Sequence, residues 1–403
     1  MKRFLTLVLL LSAAALSYAA SPLGQFLADK AVDASSTSVF VQDLSSGKVL
    51  AVHNADRALL PASIMKTVTI AALLREKGPD ERFHTKVYAD GPVSDGRIEG
   101  DLVVVGGGDP TLGASCLPES ADIAEEIIAA LGDLGVRHIA GALRVDTSLF
   151  SGPACPPSWV AEDRREAYGT GCHALNFRRN ASGGRSVKDP VKVFLDSLRP
   201  RLAAAGISVE GESAADGRSL SGGATLIVDH VSDRYAEVMR SCMMRSDNMF
   251  AESLLRTFSI ARGKEGSTSA GAAALSDYWR RAGVPANGVS VVDGSGLSRS
   301  NRMTARFMAG VLDMMDEDED FSTFLPLAGQ EGTLSDFLKD TDLDSYVAMK
   351  TGSMRGIQCY AGYKLDERFA PTHSIVIIMN GIGPRARARA AAEKFLLDLF
   401  AGI

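Results

Sequence analysis

Apolar and polar positions alternate through Ser38-Val39-Phe40-Val41-Gln42, break at Ser45-Ser46-Gly47-Lys48 and resume in Val49-Leu50-Ala51-Val52, which predicts a β-hairpin over residues 37–53. The period then lengthens. Ile64, Met65, Val68, Ile70, Ala71 and Leu74 recur at helical spacing after Pro61-Ala62-Ser63, and Lys77-Gly78-Pro79 stops the pattern, so Ser63 is expected at a helix start. Towards the other end, Tyr346-Val347-Ala348-Met349 leads into Lys350, residues 357–363 follow a turn, and 373–379 form an apolar run. These predict three consecutive strands. A last helix over 385–400 places Ala390, Phe395, Leu396, Leu399 and Phe400 on one stripe and leaves its arginines as a solvated face. The simplest assembly is an α/β (α+β) fold in which the N-terminal hairpin and the C-terminal strands share one antiparallel sheet with helices packed on it.

The interval between the two ends has the character of an insertion. Residues 82–105 read as strands and Ile123 to Leu134 as a helix, another helix is expected around Val191 to Leu202, and glycine seams fall at Ser182-Gly183-Gly184 and Ser221-Gly222-Gly223. The expected organisation is a discontinuous domain, 20–81 and 224–403, carrying a smaller inserted α+β domain over 82–223. There is no tandem repeat and no low-complexity tract.

Composition fixes compartment and excludes partners. Met1-Lys2-Arg3 is basic, Phe4 to Leu11 is apolar, and Ser17-Tyr18-Ala19 supplies small residues, so 1–19 reads as a cleaved signal peptide. The apolar run is too short for the ~20 residues of a membrane span, no later stretch approaches that length, and an exported protein of the periplasm or cell envelope is expected. A formal net charge of −6 without a basic stripe argues against nucleic acid or an anionic membrane surface as partner. The acidic run 316–320 lacks the glycine-turned alternation of a calcium loop and is expected at the surface. Of five cysteines, Cys116, Cys155 and Cys172 are the expected disulfide formers, whereas Cys242 and Cys359 lie in apolar stretches that suit buried thiols. Nothing in the sequence fixes the oligomeric state.

Three short strings carry the chemistry: Ser63-Ile64-Met65-Lys66, Ser246-Asp247-Asn248 and Lys350-Thr351-Gly352. Each alone has a plain structural reading as a helix cap, a surface lysine or a turn. In this order behind an export signal they form a specific combination. A serine hydroxyl is a poor nucleophile until a base takes its proton, and Lys66 lies one helical turn from Ser63. A Ser-His-Asp triad has no support: there is no G-x-S-x-G elbow, and His53, His84, His138, His173, His230 and His373 form no pattern with a serine. Gly106-Gly107-Gly108 lacks the following Gly-Lys-Ser/Thr of a phosphate loop. No metal-ligand spacing occurs, and no cofactor is implied.

The chain resembles the D-alanyl-D-alanine carboxypeptidase/endopeptidase family, the low-molecular-mass penicillin-binding proteins of peptidase family S13. Besides the three motifs, Gly107-Gly108-Asp109-Pro110-Thr111-Leu112, Ala174-Leu175-Asn176, Asp293-Gly294-Ser295-Gly296-Leu297-Ser298 and 325–334 resemble family strings in the family's order. The resemblance implies a penicillin-binding, serine β-lactamase-like transpeptidase domain that cuts peptidoglycan stem peptides and is acylated by β-lactams. It implies Ser63 as nucleophile and Lys66 as base, its charge disfavoured by burial and by Lys350. Ser246 would relay the proton to the departing D-alanine, and Asn248 would orient the peptide group. Lys350 and Thr351 would meet the terminal carboxylate. Gly352 would leave room for substrate, and the amide of Ser353 would join that of Ser63 in an oxyanion hole. The chain departs from the family after Ala174-Leu175-Asn176, where a further β-rich segment is absent or much reduced, and in having Cys172 before that string. A serine β-lactamase and a catalytically idle peptidoglycan-binding protein of the same fold are the alternatives.

Overall fold

A computed structural model describes residues 21–117, 123–318 and 320–402; the expected signal segment lies outside the described residues. The chain forms α1 (Pro22–Ala28), strands β1 (Thr37–Asp43) and β2 (Val49–His53), and α2 (Met65–Lys77). Strands β3 (Arg82–Asp90) and β4 (Asp101–Val105), helix α3 (Ile123–Asp133), strand β5 (Leu143–Asp146), helix α4 (Pro190–Ala204) and strands β6 (Ala214–Asp216) and β7 (Thr225–Arg234) follow. Helices α5 (Tyr235–Arg245), α6 (Asn248–Ala261), α7 (Thr268–Arg281) and α8 (Ala305–Asp313) precede strands β8 (Val347–Met354), β9 (Ile357–Leu365) and β10 (Pro371–Asn380) and helix α9 (Arg385–Phe400). Two compact units result, one comprising the chain up to Val68 with Trp279–Ser290 and everything from Ser300, the other Thr69–Tyr278 with Val291–Arg299.

The first unit is built on a five-stranded antiparallel sheet in the order β8-β9-β10-β1-β2, so the two ends of the chain share one sheet, as the sequence pattern predicts. Val39 pairs with Ile377 across β1 and β10, and Lys350 with Ala361 across β8 and β9. Because side chains alternate across a sheet, Val39, Val41, Val347, Met349, Tyr360, Ile375 and Ile377 gather on one face. They pack there with Phe395 and Leu396 of α9 and with Phe26 of α1, whose ring stacks on Phe395 at 4.9 Å between centroids. On the opposite face Tyr363 donates its hydroxyl hydrogen to the Leu312 carbonyl of α8 at 2.7 Å. Burial on both faces is why β10 reads as a nearly unbroken apolar run.

The second unit holds a mixed sheet in the order β6-β5-β4-β3-β7, with β3 antiparallel to both neighbours and β4, β5 and β6 mutually parallel. Its core joins Val87, Leu102, Val104, Leu143 and Val145 of the sheet to Ile127 and Leu131 of α3 and Phe194 and Leu198 of α4. Arg144 is buried within this sheet. Its guanidinium meets Asp90 at 3.1 Å, Asp216 at 3.2 Å and Asp101 at 3.5 Å, the multiple pairing that a charge out of water requires. A small second sheet is made of Val93–Ser94, Arg97–Ile98, His138–Ile139 and Ser208–Val209.

Candidate active site

Ser63 occupies a 3₁₀ turn, Ala62–Ile64, that runs directly into α2. The turn is strained: buried Ala62 has φ of +47°, a left-handed conformation unfavourable for a side-chain-bearing residue and one that clusters at functional sites. Lys66, in the first turn of α2, is fully buried and donates from Nζ to Ser63 Oγ at 3.0 Å. The spacing of three residues therefore places an amine nitrogen within hydrogen-bond reach of a hydroxyl.

Strand β8 passes beside this turn. Alternation sends Lys350 and Gly352 to one face and Thr351 and Ser353 to the other. A Cβ added to Gly352 would lie 2.6 Å from the Pro61 carbonyl oxygen, 3.1 Å from Ser63 N and 3.2 Å from Ala62 Cβ. That space, expected to be left for substrate, is filled by the backbone of the Ser63 turn, so the glycine's first effect is to let strand and turn touch. Lys350 is fully buried, with Nζ donating to the Thr351 carbonyl at 2.8 Å. Thr351 Oγ1 lies 2.7 Å from Thr333 Oγ1, and Ser353 Oγ donates to Gln358 Oε1 at 2.7 Å. Thr333 was unassigned from sequence, although it lies inside one of the recognised strings. Ser63, Lys66, Lys350, Thr351, Gly352 and Ser353 all belong to the first unit.

Ser246, Asp247 and Asn248 belong to the second unit, at the junction of α5 and α6. Ser246 ends α5 in the left-handed conformation, φ +56° and ψ 40°. Asp247 is the N-cap of α6, accepting from Phe250 N at 3.1 Å, and also accepts from Arg179 Nε at 2.8 Å. Asn248 is buried at the first position of α6 and donates from Nδ2 to the Tyr168 carbonyl at 2.7 Å, which fixes the orientation of its amide. Neither Arg179 nor the Tyr168 carbonyl carried a sequence signal, since an ion pair and a backbone contact at such separations leave no local pattern.

A buried acid pair holds the loop of the Asp293-Gly294-Ser295-Gly296 string in the same unit. Glu252 Oε1 accepts from the amides of Gly294 at 3.0 Å and Ser295 at 2.9 Å. Asp293 accepts from Gly296 N at 2.8 Å, Ser298 N at 2.6 Å and Trp159 Nε1 at 2.8 Å. Burial, with the neighbouring Asp293 charge adding to it, pushes the Glu252 carboxyl up to about 7.

Three histidines pair with carboxylates, and His138 also lies 2.7 Å from Ser208 Oγ, a histidine–serine contact that the sequence pattern did not predict. His84 meets Asp229 at 2.9 Å, His230 meets Glu126 at 2.9 Å and His138 meets Glu210 at 2.8 Å, while burial pushes His173 down to about 4. All five cysteines are free thiols, so the bridging expected among Cys116, Cys155 and Cys172 is absent; Cys172 is buried and pushed up to about 12 by desolvation. Among the described residues no group of three or more His, Cys, Asp or Glu side chains is arranged to hold a metal ion.

The chain is similar to known proteins over most of its length. The chain is 32% identical over 366 residues to carboxypeptidase DacB of Mycolicibacterium smegmatis, covering 86% of this chain and 77% of that one. It is 26% identical over 419 residues to a D-alanyl-D-alanine carboxypeptidase of Actinomadura, covering 84% and 76%. The crystal structure of penicillin binding protein 4 from Haemophilus influenzae superposes with a TM-score of 0.81 over 94% of this chain and 98% of that one, at 21% identity, a likeness of fold. Residues 19–183 and 178–396 match the D-Ala-D-Ala carboxypeptidase 3 (S13) family, and the chain belongs to that family of serine hydrolases.

Proposed function

We propose that Ser63 is the nucleophile of a D-Ala-D-Ala carboxypeptidase/endopeptidase that cuts peptidoglycan stem peptides through an acyl-enzyme. The observation that carries this reading is the 3.0 Å contact between Ser63 Oγ and the fully buried Lys66 Nζ. The reaction needs the neutral amine, and burial out of water favours it. Ser63 Oγ attacks the carbonyl carbon between the two terminal D-alanines as its proton passes to Lys66 Nζ. The C–N bond then breaks, and the departing nitrogen takes a proton through Ser246. Water, or a second amine, attacks the ester and frees Ser63. The amides of Ser63 and Ser353 stabilise the oxyanion, a contribution of ~3 kcal/mol per donor. Lys350 and Thr351 receive the terminal carboxylate, and Asn248, its amide oriented by the Tyr168 carbonyl, aligns the substrate peptide.

Residues 20–81 and 224–403 constitute the peptidase domain in this reading, with 82–223 inserted. Two separate apolar cores support a division of the chain, one drawn from residues 23–51 and 328–400, the other from 87–228; the second includes Val228 of β7, and the second compact unit takes in 69–81 and 224–278 as well, so these boundaries are wider for the insertion than 82–223. Export to the periplasm or cell envelope is supported by the order of basic, apolar and small residues in 1–19. No helix of the described residues is long and apolar enough to cross a membrane. β-Lactams, as cyclic acyl donors, are the expected inhibitors.

A labelled penicillin attaches covalently to the parent protein and not to Ser63→Ala; equal labelling of the two would remove Ser63 from the mechanism. Digestion of purified cross-linked muropeptides separates the two peptidase activities. Release of D-alanine alone marks a carboxypeptidase, and cleavage of the cross-link marks an endopeptidase. Rapid turnover of the penicillin with neither muropeptide product would restore the β-lactamase alternative.

A further inference from the structure

The second unit contains a cavity of about 370 Å³ that none of the chemistry above uses. Its walls include Arg82, His84 and Lys86 of β3, the Gly106-Gly107 turn after β4, Tyr235 at the start of α5, and Ile260 near the end of α6. Thr257, also in its wall, lies about 14 Å along α6 from Asn248 at the usual helical rise, so the cavity sits at the opposite end of that helix from the Ser246-Asp247-Asn248 junction.

The electrostatics of the cavity are one-sided. Three basic or titratable side chains line it, at alternate positions of one strand and hence on one face, and no carboxylate does. The acids around it are already paired, Asp229 with His84 of the cavity wall itself, which leaves Arg82 and Lys86 as the cations of the cavity. Asp229, opposite Lys86 in the ladder, is 2.9 Å from His84 Nδ1, and Glu81 pairs with Lys77 at 3.2 Å. Asp80 and Glu237 pair with Arg234. Arg82 Nη1 donates to the Ser232 carbonyl at 2.7 Å, which orients the guanidinium without cancelling its charge. Phe83, Leu149, Tyr235 and Ile260 add apolar wall beside these cations, and Leu149 is part-exposed at 37%. Two cations, Arg82 and Lys86, against apolar wall, with the neighbouring carboxylates already paired, recognise an anionic group carried on an apolar or sugar body.

We propose that this cavity is a second, non-catalytic site that binds an anionic group of a cell-wall polymer, a stem carboxylate or a wall phosphate, and so holds the polymer on the enzyme while its stems are cut. The proposal rests on the peptidase reading only for the identity of the polymer. The test uses the full chain with Ser63 already occupied by penicillin, so that the catalytic cleft cannot account for binding. N-acetylmuramyl-L-alanyl-D-isoglutamine, which carries a carboxylate and no D-Ala-D-Ala end, and glycerol phosphate are titrated separately by calorimetry.

At least one probe binds, and which one does identifies the source of the anion. Lys86→Glu, which reverses a charge on a strand surface, weakens that binding by about tenfold, the weight of one charged hydrogen bond. Ile260→Trp, which fills the cavity without touching its charges, weakens it as much. Both variants acylate with penicillin at the parent rate, and both degrade polymeric peptidoglycan more slowly while cleaving a short D-Ala-D-Ala peptide normally. Absence of binding by both probes, or unchanged affinity in both variants, overturns the proposal and leaves the peptidase reading standing. Failure of penicillin to label Ser63 would instead strike that reading; the titration then runs on unlabelled protein.

Discussion

Gly352 shows what one missing side chain does at this site. A methyl group there would sit 2.6 Å from the Pro61 carbonyl oxygen, closer than a side chain comes to backbone, and 3.1 Å from Ser63 N, a tight contact that the turn relieves only by moving. Gly352→Ala therefore pushes the strand and the nucleophile's turn apart. We expect a loss of about 1–3 kcal/mol in stability from overpacking, and a fall of about 100-fold in the acylation rate from displacing Ser63 by a fraction of an ångström to an ångström. Thermal unfolding and the rate of penicillin labelling measure the two effects; a destabilised variant that labels at the parent rate would show that this contact does not position Ser63. The Ser63–Lys66 pair was legible in the sequence because three residues of helix fix their geometry locally. The reason for Gly352 was not, because the turn it touches lies nearly three hundred residues away along the chain. Nor was the strain at Ala62, since nothing about an alanine announces a positive φ.

The elements that the sequence made plain are those whose apolar positions follow one period. The hairpin β1–β2, strands β8 to β10 and helix α9 appear where alternation or a helical stripe predicts them, except that Ala390, expected on the apolar stripe of α9, is exposed and Ala388, Ala391 and Ala392 are buried beside Phe395, Leu396 and Phe400. Strand β7 does not announce itself, because its pattern is inverted in part: His230, Ser232 and Asp233 are buried while Leu226 and Val231 are exposed. Polar residues inside and apolar residues outside blur the alternation on which a strand is recognised. The junction of α5 and α6 was legible as a motif and not as geometry. Ser246 ends α5 with φ of +56°, a conformation that costs any residue but glycine. Ser246→Gly should consequently gain up to about 1 kcal/mol of stability over Ser246→Ala, offset in part by glycine's greater freedom in the unfolded chain. Both variants lack the hydroxyl that passes the proton, and both should hydrolyse a D-Ala-D-Ala peptide about 100-fold more slowly. Denaturant midpoints together with peptide hydrolysis test this; full activity in either variant would take Ser246 out of the proton path.

At the scale of the whole molecule, the buried Glu252–Asp293 pair makes stability depend on pH near neutrality. Glu252 has its carboxyl pushed up to about 7 in the folded protein, against 4.5 for the ordinary group, by burial first and by Asp293 second. The folded state therefore holds this proton more tightly than the unfolded one. Its contribution is fully present below pH 4.5, declines as pH rises towards 7, and is lost above it. Gln at this position keeps an oxygen for the Gly294 and Ser295 amides that Glu252 Oε1 now receives at 3.0 and 2.9 Å, and never ionises. The charge balance also improves, since buried Arg256, which acts on Glu252 from the same helix, is then matched by Asp293 alone. Glu252→Gln should thus gain stability relative to the parent steadily between pH 4.5 and 7, and the gain should level off above 7. Taking the difference between variant and parent removes the opposing effect of His173, whose burial pushes it down to about 4 and favours the folded state as pH rises. Thermal unfolding of both proteins across that range is the measurement, and parallel curves would mean that Glu252 stays ionised in its buried site.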